Sequence, residues 1–127
     1  MVAEKFEAMI NLGDLNSRMK DFYDIWSMMK QFDFEGGALA QAIQKTFKHR
    51  NTTLPKAVPF FSSAIYDKNS VNSMRWKSFL STTQINNAPA DLVVTAKSIE
   101  SFLLGPVNAI SDGRDFIAHW NAPGPWH

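Results

Sequence analysis

The sequence predicts a small all-α domain, a bundle of about five helices joined by short links and one Pro-rich connecting loop. Three observations carry this. Apolar residues recur every three or four positions along most of the 127 residues, the period of a helix with one buried face. No segment alternates apolar and polar with the strand period of two. The breaks in the helical pattern fall where Gly, Pro and Ser gather. The length suits one domain, which buries roughly two thirds of the surface of its unfolded chain.

The elements follow in order. Val2, Phe6, Met9 and Ile10 share one helical face, and Gly13 suits its end. Asn16 or Ser17 caps a second helix, with the stripe Phe22, Ile25, Trp26, Met29 and Phe32. Asp33 precedes a third, where Leu39, Ile43 and Phe47 are spaced by four; Gly36 and Gly37 weaken its first turn. Residues 51–61, "NTTLPKAVPFF", cannot form one helix around Pro55 and Pro59. They read as a loop anchored by Phe60 and Phe61. Ser70 caps a fourth helix with the stripe Val71, Met74, Phe79 and Leu80. Trp76 falls off that stripe, as a contact for another domain or a partner would. Pro89 fits the first turn of a fifth helix through Leu92, Val93, Ala96, Ile99, Phe102 and Leu103, ended or kinked at Gly105-Pro106. Residues 1–111 make the helical domain. Residues 112–127 make an irregular tail, which Trp120 and Trp126 pack onto it.

Composition narrows the function. The net charge of +1 argues against dominant non-specific nucleic-acid binding. With no cysteine there is no disulfide and no thiolate metal ligand, and a reducing compartment is expected. No apolar run reaches the ~20 residues that cross a bilayer. A cytoplasmic protein is the expectation. Lys45, Lys48 and Arg50, with His49, form a basic patch at a helix end. Such cations commonly serve the helix dipole; the functional alternative is contact with an RNA backbone. His119 and His127 lack metal-site spacing, and no base in sequence neighbours Ser62, Ser63 or Ser111 to activate a nucleophile.

The sharpest pattern is charge on an apolar face. In "LNSRMKDFYDIWSMMKQF", residues 15–32, a helical wheel puts Arg18 inside the apolar arc and Asp21 at its edge, with Lys20 and Asp24 toward water. On the first helix Lys5 lies at the edge of the arc, while Glu4 and Glu7 point away. A short joint folds the two helices back antiparallel. Lys5, Arg18 and Asp21 then meet at one rim. Ion pairs at helix edges are common and weak. The alternative is a phosphate seat, for which arginine and lysine are suited.

Those residues carry a resemblance. "VAEKFEAMINLGDLNSRMKDFYDIW" resembles the C-terminal half of the AbiEii/AbiGii toxins, nucleotidyltransferase-like toxins of bacterial toxin–antitoxin systems. "QAIQKTFKHRNTTLP", "RWKSFL" and "SIESFLLGPVNAI" extend it, and "AEK" with "RMKDFYD" at this separation is its most specific part. The resemblance implies nucleotide transfer from a nucleoside triphosphate, with Mg2+, to an acceptor such as a tRNA end. It gives Lys5 a contact with the triphosphate and Asp21 a catalytic or positioning role, with Arg18 and Lys20 as substrate-binding supports. Tyr23 and Asp24 are expected to be scaffolding. The family's core also has a Gly-Ser turn and an Asp-x-Asp metal pair, and neither occurs in these 127 residues. The chain is therefore expected to be a helical C-terminal part, inactive alone, with no cofactor of its own. Its expected partners are an antitoxin, an N-terminal catalytic half or a second copy. The competing expectation is a helical interaction module.

Overall fold

The computed structural model describes residues 1–13 and 18–127; the expected cap at Asn16 or Ser17 lies outside them. Among the described residues there are six helices and one two-stranded ladder. These are α1 (Val2–Leu12), α2 (Met19–Gln31), β1 (Phe34–Glu35), α3 (Gly36–His49), α4 (Ser63–Tyr66), α5 (Val71–Thr82), α6 (Leu92–Ser111) and β2 (His119–Trp120). The helical class predicted from periodicity is the class observed; the additional helix is the single turn α4.

The apolar spacing explains the packing. α6 is the central element: α2, α3, α4 and α5 all pack against it, and α1 packs against α2 and α3. Phe6, Phe22, Ile25, Ile43, Ile99, Phe102, Leu103 and Val107 are fully enclosed, each contributing about 1.5–3 kcal/mol by leaving water. Residues 52–62, which include Pro55 and Pro59, have no regular structure and bury Phe60 and Phe61. Glu100 of α6 fixes this segment. Its Oε2 accepts from the Phe60 amide and from the Tyr66 hydroxyl, both at 2.8 Å. Burial, then the Glu100 carboxylate, holds the Tyr66 hydroxyl above the ordinary phenol range, so it remains a donor.

Several local expectations are corrected. α6 continues through Gly105 and Pro106 to Ser111. Proline has no N–H, so the carbonyl four residues earlier, Phe102, loses its helical donor. Trp126 Nε1 donates to that carbonyl at 2.7 Å. Trp120 and Trp126 pack the tail onto the core, as the sequence led us to expect. β2 pairs antiparallel with β1, Phe34 opposite Trp120. Trp120 Nε1 donates to the Met29 carbonyl in the last turn of α2 at 2.8 Å. The Phe116 ring lies where a Cβ on Gly36 or Gly105 would be, within 2.7 and 2.6 Å respectively, so one side chain closes the start of α3 onto the end of α6.

One first-turn residue and two stripes also differ. Glu35 caps α3, accepting from the Gly37 and Ala38 amides; Asp33, which precedes the helix as expected, accepts through Oδ1 from the tail at Ala122. Pro89 lies before α6, where its carbonyl accepts from Trp76 Nε1 at 3.0 Å. Phe32 is 57% exposed because α2 ends at Gln31 and the chain turns extended there. On α5 the inward face is Asn72, Ser73 and Trp76, and Trp76 is fully buried. Val71 and Met74, expected inside, are 61% and 66% exposed. Packing of one large indole decides the helix rotation, against two smaller apolar residues on the other face. Trp76 is accordingly not a surface contact.

Candidate functional site

α1 and α2 pack side by side and bring the charged residues together. Lys5 sits between two carboxylates of α2. Its Nζ donates to Asp24 Oδ2 at 2.9 Å and to Asp21 Oδ1 at 3.4 Å. Arg18 Nε stands 2.9 Å from Asp21 Oδ2, and Lys20 Nζ donates to Asp24 Oδ2 at 2.8 Å. Lys5 and Arg18, expected at one rim with Asp21, each contact its carboxylate.

Burial is distributed otherwise than the wheel suggests. Asp21 is 3% exposed, although it was expected at the edge. Arg18 is exposed, although the wheel put it inside the arc. Arg18 is the cap residue, with ψ 68, so it precedes the helix and the 100° rule does not place it. Asp24, expected to face water, is the closer partner of Lys5. It lies three residues from Asp21, so both carboxylates can reach one ammonium group. That i, i+3 spacing was the signal for it in the sequence.

The electrostatics follow from these contacts. Hydrogen bonding to Asp24, helped by the charges of Asp24 and Asp21, holds Lys5 above the ordinary lysine value despite partial burial. Lys5 is therefore an ammonium group and has no lone pair to accept a proton; it can bind an anion but not act as a base. Burial alone would raise the Asp24 carboxyl, but Lys20 and Lys5 together outweigh it and hold the group below its ordinary value. Asp24 is ionised at neutral pH.

These carboxylates do not fit a divalent ion. Lys5 already stands between them, where a bridging metal would have to sit. Among the described residues no group of three or more His, Asp or Glu could hold one.

The rim opens on a groove of about 840 Å³, within the size range of small-molecule sites. Lys5, Arg18, Lys20 and Asp21 form one wall. The outer face of α5 forms the other.

The basic patch divides. Lys45 and Lys48 are exposed on α3. Arg50 Nη1 donates to Glu7 Oε1 at 2.8 Å, and Thr52 Oγ1 donates to Glu7 Oε2. Glu7, expected to point away, is buried and needs that cation. Among the described residues no helix is long and apolar enough to cross a membrane.

No curated protein and no solved structure matches the chain. The model of one family, described as "Nucleotidyl transferase AbiEii toxin, Type IV TA system", matches residues 1–102, a span that holds the whole rim and both walls of the groove. The chain belongs to the AbiEii nucleotidyl transferase toxin family.

Proposed function

We propose that this chain acts as the helical C-terminal part of an AbiEii-type nucleotidyltransferase, holding the phosphates of a nucleoside triphosphate at the α1/α2 rim without transferring the nucleotide by itself. The observation that carries this is Lys5 held between Asp21 and Asp24 at the mouth of an open groove. Arg18 and Lys20 add two exposed cations. Three cations against two carboxylates leave the rim net positive, which favours a phosphate. Asp21, buried and touched by both Lys5 and Arg18, positions those cations toward the ligand.

Mg2+ would supply charge neutralisation on the phosphates in the complete reaction, but the rim carboxylates are committed to cations. The chain has neither the Gly-Ser turn nor the Asp-x-Asp pair of the family's metal-binding core. An acceptor such as a tRNA end would be met by Lys45 and Lys48, whereas Arg50 serves Glu7. The toxin–antitoxin setting of the family makes an antitoxin the expected protein partner. The interaction-module alternative gains less support. Most apolar residues of α1 and α2 are buried or half-buried in the domain, and the exposed large ones are at the flanking positions Met1 and Phe32.

The test is a transfer assay with this chain, Mg2+, each of the four nucleoside triphosphates and bulk tRNA. No labelled tRNA is expected. Labelling above the level of a chain-free control would overturn the claim that the chain does not transfer alone.

A further inference from the structure

The outer face of α5 has no structural role in the core, and its residues are not random. Val71, Met74, Arg75, Ser78 and Thr82 recur at spacings of three and four and all line the groove opposite the rim. They face away from Trp76, which anchors the helix. Val71 and Met74 are among the most exposed large apolar side chains of the described residues. They stand side by side at i and i+3, so they form one apolar step rather than scattered exposure. Arg75, also exposed, donates to Asn72 Oδ1 at 3.2 Å and makes no ion pair among the described residues. The groove therefore has a cationic wall, an apolar step across from it and an additional guanidinium beside the step.

Only an amphipathic anion uses all three features. An inorganic phosphate chain would leave Val71 and Met74 in water. A purely apolar ligand would make no use of the cationic wall or of Arg75. The groove volume suits a molecule of nucleotide size.

We infer that Val71 and Met74 are specificity-determining residues that receive the base end of a nucleoside triphosphate, while Arg75 binds its phosphates from the side opposite Lys5. The inference rests on the phosphate-binding reading of the rim and assigns the ligand's other end. Methionine adapts to flat ligands of different shape and makes favourable sulfur–aromatic contacts. Discrimination against a bare phosphate chain is thus expected to exceed discrimination among bases.

Titration calorimetry with ATP, CTP and inorganic tripolyphosphate tests this on the full chain. The wild type is expected to bind ATP and CTP about tenfold or more tighter than tripolyphosphate, since partial burial of two apolar side chains is worth that much. Val71→Ser with Met74→Ser should bring the nucleotides down to the tripolyphosphate level and leave tripolyphosphate unchanged. Arg75→Gln should weaken all three. Both sites are exposed, so the melting temperature should stay at the wild-type value, which separates loss of binding from loss of fold. Equal wild-type binding of nucleotide and tripolyphosphate would overturn the inference. So would a ratio unmoved by the double variant. If Lys5→Met abolishes all binding in that case, the phosphate-binding reading survives and only the base seat falls. If no ligand binds the wild type, both fall.

Discussion

The two ends of α2 are built on different physics. At its last turn the tail closes over Met29. There Trp120, Trp126, Phe102, Phe116 and Phe34 form one aromatic cluster, with ring centroids 4.8–5.7 Å apart. Carbonyls that α2 and α6 cannot satisfy themselves receive indole N–H groups. Every polar contact there answers a need created by the fold. At the first turn, about 12 Å away along the axis, charges are concentrated at an open groove, and an apolar step faces them instead of joining the core. The comparison teaches that one end of the helix is closed for stability, while the other keeps surface that folding alone does not require.

Substitutions at the closed end should give the largest losses of stability. Trp120→Ala removes a buried ring and the Met29 partner together. We expect a loss of about 3–5 kcal/mol, read by urea denaturation. A loss under about 1 kcal/mol would mean the tail is not part of the core. Gly36→Ala comes next. A Cβ there would meet the Ala118 carbonyl and the Phe116 ring, both at 2.7 Å, so overpacking should cost about 1–3 kcal/mol, although alanine suits helices better. Trp126→Phe keeps the stacked ring and deletes the donor to Phe102, for about 1 kcal/mol. No change in its melt would show that Pro106 leaves no carbonyl in need.

The open end should respond least in stability and in a pH-dependent way. Asp24 has its carboxyl value lowered on folding. Its contribution is therefore present above the ordinary value of 3.8 and lost as pH falls through the lower folded value. Asp24→Asn should cost up to about 1 kcal/mol at about pH 6. The gap from wild type should narrow as pH falls below 3.8 and close once it passes below the folded value. A gap that persists there would point to packing rather than charge.

How much of this was legible in the sequence follows from the same contrast. Period alone gave α1, α2 and α3, because each carries one apolar stripe spaced by three and four. Lys5, Arg18 and Asp21 were legible as a rim because the joint between α1 and α2 is short. What failed were residues decided by long-range partners. Glu7 reads as solvent-facing until Arg50 and Thr52 arrive from forty-odd residues away. Pro106 reads as a helix end until Trp126 supplies a donor. α5 carries apolar residues on both sides, so no wheel could choose its inward face without knowing that Trp76 reaches Pro89. The tail has no period because its contacts are made one aromatic ring at a time.

The most direct test of the rim is the melting temperature of wild type and Lys5→Met with and without millimolar tripolyphosphate, since a ligand that binds only the folded chain raises it. The account predicts a rise for the wild type and none for Lys5→Met. An equal rise in both chains, or no rise in the wild type, would contradict it.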